Sequence, residues 1–204
     1  MSRAVDARGM ECPKPVVMTK NALDRIPEGI LTVLVDAESS RANVRRLAES
    51  QGCTVTEAVR DGYTELTIAK GFPCDLPEEA VPSAGQTAGP LQGSIVYITS
   101  DQVGPDAELG QHLLKVFIRN MLEVSREDLP HSIVFVNRGV HVPCRWDDTI
   151  EDLHALIDMG VQVFSCGVCL KHYEMEAELK VGEVGNAFDT VQGFLGPRKH
   201  VNIC

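Results

Sequence analysis

The chain has 204 residues, 44% of them hydrophobic and 24% charged, which suits one large or two small soluble globular domains. No apolar run approaches the roughly 20 residues of a bilayer span, and the opening MSRAVDARGM lacks the apolar core of a secretory leader, so the cytoplasm is the expected location and no membrane partner is expected. A formal net charge of −10 makes a nucleic-acid backbone a poor partner for the surface as a whole.

In chain order, AVDARG reads as a short strand ending at Gly9. From Pro13 the apolar residues Val16, Val17, Met18, Leu23 and Ile26 roughly follow helical spacing, and IPEG stops the run. ILTVLVD (30–36) is a buried strand by its β-branched content. SSRANVRRLAESQG is a helix with a serine cap and a closing Gly52. CTVTEAVR and YTELTIAK flank Asp61-Gly62, a strong hairpin turn. The predicted order βαβαββ over residues 1–70 fits a two-layer α/β sandwich.

Residues 71–92, GFPCDLPEEAVPSAGQTAGPLQ, hold four prolines and three glycines without periodicity, the composition of a linker. Charge also changes across it. Residues 1–70 carry ten bases and ten acids, whereas residues 93–204 carry nine bases and sixteen acids.

The segment 93–204 alternates regularly. SIVYITS is a strand, and DAELGQHLLKVFIRNMLEV a helix with Leu109, Leu113, Val116 and Phe117 on one face. HSIVFVNRG is a strand, and DDTIEDLHALIDMG a helix with Asp148 and Glu151 spaced as a capping box and Gly160 closing it. VQVFSC is a strand and GVCLKHYEMEAELKVG a helix. Strands joined by helices predict a parallel sheet in a three-layer α/β domain, with reactive groups at the carboxyl ends of its strands. Neither a Walker loop nor a G-x-G-x-x-G fingerprint is present.

Seven cysteines, an odd number in a chain expected to be cytosolic, argue against a disulfide scaffold. Cys12 precedes Pro13, a residue suited to the first helical position, so its thiol is expected near the N-cap, where the helix dipole favours thiolate. Lys14 and Arg8 are placed to assist, and Pro15 removes a second N–H from the first turn. A buried small residue at a helix start is the alternative. Cys166 and Cys169 form SCGVC at a strand–helix junction. Redox or sulfur chemistry, core packing and zinc compete there, and zinc has only His172 nearby against the four ligands it needs. Cys53 reads as core, Cys74 as an exposed linker thiol, Cys144 as filler near the Cys166 sheet edge, and Cys204 as a terminal thiol. His131, His141, His154 and His172 show no H-E-x-x-H spacing, and His200 lies in a basic tail, PRKH.

The run DARGMECPKPVVMTKNALDRI resembles the TusA (SirA-like) sulfur carriers, whose hallmark is Cys-Pro-x-Pro at the start of the first helix. That resemblance implies a persulfide on Cys12, with Pro13, Pro15, Arg8, Gly9 and Glu11 shaping its turn. FVNRGV, VFSCGVCLKHY and KVGEVGNAFD resemble the DsrE-like proteins, which implies a sulfur-accepting role for Cys166. The two modules in this order resemble the YedF group, sulfurtransferase-like proteins linked to selenium metabolism.

Together these readings imply a persulfide or perselenide carrier with no cofactor beyond the covalent intermediate, and no metal. Its expected partners are a cysteine desulfurase or other sulfur or selenium donor, a downstream acceptor protein, and a second copy through the DsrE-like domain. In the expected chemistry Cys12 loads, Cys166 receives and Cys169 resolves. A regulatory protein without turnover, and a dithiol redox protein using Cys166 and Cys169 alone, are the competing readings.

Overall fold

The computed structural model describes residues 3–11, 13–71, 91 and 93–204, arranged as two compact units. The expected linker 71–92, with Cys74, therefore lies outside the described residues apart from Gly71 and Leu91, and so does Cys12.

The first unit runs β1 (Arg3–Asp6), α1 (Lys14–Asp24), β2 (Gly29–Val35), α2 (Glu38–Ser50), β3 (Thr54–Arg60) and β4 (Tyr63–Lys70), the predicted order. Its sheet is mixed, with order β1-β2-β4-β3: β1 and β2 are parallel and the other pairs antiparallel. Leu31, Val33 and Val35 alternate onto one face of β2 and meet Leu66 and Ile68 of β4. Val16 and Leu23 of α1 and Val44 and Leu47 of α2 complete this core. The β3–β4 turn is Asp61-Gly62 as read from sequence, with Gly62 at φ +80°, a conformation the missing Cβ permits.

The serine cap of α2 is corrected. The helix starts at Glu38 behind Ala37, so Ser39 and Ser40 lie inside its first turn, and Glu38 supplies the negative charge favoured there. Gly52 closes the helix as expected, at φ +73°.

The second unit contains β5 (Ile95–Ile98), α3 (Ala107–Asn120), β6 (Ser132–Phe135), α4 (His141–Arg145), α5 (Asp147–Asp158), β7 (Gln162–Cys166), α6 (Gly167–His172), β8 (Glu183–Gly185), α7 (Ala187–Leu195) from Asp189 onward, and β9 (His200–Ile203). All five strands are parallel, in the order β8-β7-β6-β5-β9. Ile98, Ile133, Phe135 and Val163 build the core on one face with residues of α3 and α5, and Tyr97 on the opposite face stacks on Phe194 of α7 at 4.6 Å between ring centroids.

Four expectations change here. The α3 face predicted from Leu109, Leu113, Val116 and Phe117 is not the buried one. Gly110, Leu114 and Ile118 face the core, and Leu109 and Phe117 are 55% and 41% exposed. Gly110 sets this rotation, because a Cβ there would come within 2.5 Å of the Val103 carbonyl oxygen. The Asp148–Glu151 capping box does not form. Here α4 runs through Trp146 directly into α5, the Trp146 carbonyl accepts the N–H groups of Thr149 and Ile150, and Asp147 instead pairs with Lys180 at 2.7 Å. The helix predicted after β7 is much shorter than expected: α6 has six residues against sixteen. Its end is locked by bonds from the Glu174 N–H to the Lys171 carbonyl and the Met175 N–H to the Leu170 carbonyl, with Met175 fully buried. Finally, His200 is no solvated tail: it begins β9 and pairs with Ile95.

Candidate functional site

Two places carry the predicted chemistry. In the first unit, the loop joining β1 to α1 holds the residues around Cys12. Arg8 grips Asp6 through both carboxylate oxygens (2.9 and 2.6 Å) and lies over the Tyr63 ring at 5.0 Å. Hydrogen bonds from Arg8 hold the Asp6 carboxyl down at about 2. The positive charge of Arg8 is thus spent on Asp6, which makes it a loop-shaping residue. Gly9 turns the chain at φ +69° while its N–H donates to Asp36 Oδ2 at 2.6 Å. The Lys14 N–H donates back to the Glu11 carbonyl at 2.9 Å.

Pro13 occupies the N-cap of α1, one place ahead of the first-helical position expected, and Pro15 is buried in the first turn. Proline at the N-cap offers no capping side chain, and no acidic residue stands in the first turn to oppose a negative charge.

In the second unit, the carboxyl ends of β5, β6 and β7 converge. Cys166 is the last residue of β7 and the N-cap of α6, half-buried, opposite Gly185 of β8. Cys169 is three residues on. N-cap and N3 are the positions that face each other at a helix start, so the two thiols are neighbours. The helix they head has only about one and a half turns, so its dipole is weaker than a sixteen-residue helix would provide. Burial pushes the Cys169 thiol up to about 11; the Asn137 N–H works against that rise, and a hydrogen bond shared with Cys166 works with it.

The turn after β6 supplies the surroundings. The backbone N–H of Asn137 donates to Cys169 Sγ at 3.1 Å, and Asn137 Oδ1 accepts from the Tyr173 hydroxyl at 2.9 Å. Asn137 is at φ +50°, a left-handed conformation uncommon outside glycine. The next residue, Arg138, makes two bonds of 2.9 Å to the buried carboxylate of Asp101, beyond the end of β5. One residue further, Gly139 lies so close to β5 that a Cβ would meet the Ile98 carbonyl oxygen at 2.1 Å. His141 stands edge-on to Tyr173 at 5.0 Å, and burial lowers its imidazole below the ordinary value.

None of Asn137, Tyr173, His141 or Asp101 emerges from motif reading. The signal for two of them lies in FVNRGV and CLKHY, whose polar residues close behind apolar runs fall at strand or helix ends. The remaining thiols among the described residues behave as filler or a terminus. Cys53 and Cys144 are buried, and burial raises both, Cys144 to about 11. Cys204 is exposed. Among the described residues, no group of three or more His, Cys, Asp or Glu is arranged to hold a metal ion, and no helix is long and apolar enough to cross a membrane.

Comparison with known proteins places residues 3–70 in match with the family model for sulfurtransferase TusA. A relative in Methanocaldococcus jannaschii, MJ0990, named as a sulfur carrier protein, is 40% identical over 57 residues, covering 28% of this chain and 76% of that protein. The SirA-like protein of Desulfitobacterium hafniense is 39% identical over 35% of this chain and all of its own, with a TM-score of 0.33. The ychN protein of E. coli is 14% identical, covering 54% of this chain and 99% of its own, with a TM-score of 0.44.

Proposed function

Because this chain belongs to the TusA family of sulfur carriers through residues 3–70, we propose that it carries sulfane sulfur as a persulfide on Cys12 and passes it to Cys166. The observation that carries the reading is the family match itself, which spans the run Cys12-Pro13-Lys14-Pro15. The proposal takes residues 1–70 as the carrier domain, 71–92 as a linker and 93–204 as a DsrE-like receiving domain, a fusion of the YedF kind linked to selenium.

The steps are thiol–persulfide exchanges. The Cys12 thiolate attacks the outer sulfur of a donor persulfide, such as one borne by a cysteine desulfurase. The donor S–S bond breaks, and the donor leaves as its thiolate. The Cys166 thiolate takes the outer sulfur from Cys12 in the same way. Cys169 then attacks the inner sulfur on Cys166, which forms the Cys166–Cys169 disulfide and releases the cargo as hydrogen sulfide, or as selenide if selenium was loaded. A dithiol reductant restores the two thiols. The position of Cys166 at the carboxyl end of a central parallel strand supports its part, since reactive groups gather there. With an acceptor protein in place of Cys169, the cargo moves on intact.

The test is mass spectrometry of the chain after treatment with a desulfurase and cysteine. Wild type is expected to gain the mass of one sulfur on Cys12, and Cys12→Ala to gain none there. An unloaded wild type, or a Cys12→Ala chain loaded to the same level, overturns the carrier reading.

The pairing of Cys166 with Cys169 also favours a second reading, a dithiol redox protein independent of Cys12. That reading requires Cys12→Ser to keep full disulfide-reductase activity. Self-association is a further part of the proposal, supported by the exposed apolar row Leu109, Val116 and Phe117 on α3.

A further inference from the structure

We propose that Asn137 is a positioning residue for the dithiol, its left-handed backbone aiming an N–H at Cys169 Sγ so that this sulfur is held in place and stabilised as the thiolate whenever the Cys166–Cys169 bond closes or opens. The inference rests on the reading of Cys166 and Cys169 as a working pair, and adds the group that governs the second of them.

Three constraints fix that N–H from different sides. Tyr173, beyond α6, donates to Asn137 Oδ1 at 2.9 Å. Arg138, the residue after Asn137, donates two bonds of 2.9 Å to the Asp101 carboxylate. Gly139 lets the turn lie against the end of β5, where no other residue fits without displacement. A backbone held at φ +50° by three independent contacts is a donor aligned before any reaction begins. Asparagine suits the position because it tolerates left-handed φ better than most residues and also offers the oxygen that Tyr173 holds.

In the closing step, the Cys169 thiolate attacks the Cys166 sulfur, the bond to the cargo sulfur breaks, and the cargo departs with the electron pair. In the opening step, the thiolate of a dithiol reductant attacks Cys166, and the Cys166–Cys169 bond breaks with its electron pair on Cys169. The second thiol of the reductant then frees Cys166 as it closes its own disulfide. In both directions the charge on Cys169 lies 3.1 Å from a donor already in line. This makes Cys169 the leaving sulfur and Cys166 the sulfur that partners attack.

The experiment measures the rate of Cys169 alkylation against pH in full-length chains carrying Cys166→Ser. It compares Asn137 as it stands with Asn137→Gly, which keeps both the N–H and the left-handed φ, and with Asn137→Val, whose branched Cβ drives φ out of that region. The groups titrating around Cys169 are Tyr173 at the end of α6, His172 and His141 against the Tyr173 ring, and the Asp101–Arg138 pair on the neighbouring turn. All are common to the three chains. The Val chain is expected to lose about tenfold in thiolate at a given pH, the scale of a hydrogen bond to a charged group, while the Gly chain stays within about twofold of the parent. A Val chain that titrates like the parent overturns the proposal, and so does a Gly chain as weak as the Val chain, since the effect then belongs to the side chain. If Val unfolds the turn, Asn137→Ala decides. It lacks the side-chain oxygen as the Gly chain does and differs from it only in disfavouring left-handed φ, so it must lose thiolate relative to the Gly chain for the proposal to stand. No sulfur donor enters the assay, so failure of the relay, read from Cys12 loading, is seen separately.

Discussion

Arg138 holds both carboxylate oxygens of Asp101 at 2.9 Å, joining the ends of two adjacent parallel strands one residue beyond the Asn137 N–H that meets Cys169. Burial alone would raise the Asp101 carboxyl, but the hydrogen bonds and charge of Arg138 outweigh it, and the group lies below its ordinary value. A carboxyl depressed in the folded state contributes stability above its unfolded value of about 3.9, and loses it as pH falls through the folded value. The unfolding midpoint of wild type should therefore drop below about pH 4 more steeply than that of Asp101→Asn. Parallel pH curves for the two chains would show that the pair contributes nothing.

The buried thiols should separate from the others by reactivity. Burial holds Cys144 at about 11, so at pH 7 its thiolate fraction is roughly two to three orders of magnitude below that of a free cysteine. Cys53 is raised by the same cause. Iodoacetamide at pH 7 is expected to leave both unmodified in the folded chain and to label both in denaturant, with Cys204 labelled in either state. Peptide mapping reads this directly, and prompt labelling of Cys144 in the folded chain would contradict its place in the core.

Glu174 sits at φ +56° to end α6, a position where most helices use glycine. Glu174→Gly relieves that conformation and should stabilise the chain by about 0.5–1 kcal/mol, part of the gain being offset by the freedom of glycine in the unfolded state. Thermal unfolding measures it. A loss of stability would mean that the Glu174 side chain makes a contact that outweighs its backbone.

Gly139→Ala sets a Cβ 2.1 Å from the Ile98 carbonyl oxygen, so the turn must move. A cost of about 1–3 kcal/mol is expected, together with a loss of the Asn137 N–H bond to Cys169. Unfolding midpoint and Cys169 alkylation should shift together, and a chain as stable as wild type would show that this turn yields freely.

Leu109 and Phe117 test self-association. If α3 meets a second copy, Leu109→Asp and Phe117→Asp each lower the mass seen by light scattering, while α3 itself survives because its buried row is Gly110, Leu114 and Ile118. A monomeric wild type removes this part of the proposal.

What could be read from the chain before its fold follows a physical line. Strands β2 and β7, the Asp61-Gly62 turn and the closing glycines Gly52 and Gly160 announce themselves through β-branched runs and backbone conformation, which are local properties. The orientation of α3 is not local. Two apolar rows compete around that helix, and the winner is chosen by the close approach of Gly110 to Val103, 7 residues away along the chain. Likewise Cys166 and Cys169 stand out as a motif, whereas Asn137 belongs to a different strand end and acts through its backbone, which no residue type advertises. The early end of α6 is hidden for the same reason, since a glutamate in left-handed conformation does not read as a helix stop.

That early end has a consequence for reach. The short arch from Cys166 to Met175 is footed at both ends in the core, by β7 on one side and the buried Met175 on the other. A sulfur added to Cys166 would lengthen its side chain by about 2 Å, while both footings of the arch stay in the core. Loading would then change the length of one side chain on a backbone anchored at both ends, so a charged and an empty molecule would share one scaffold and differ in a single reach.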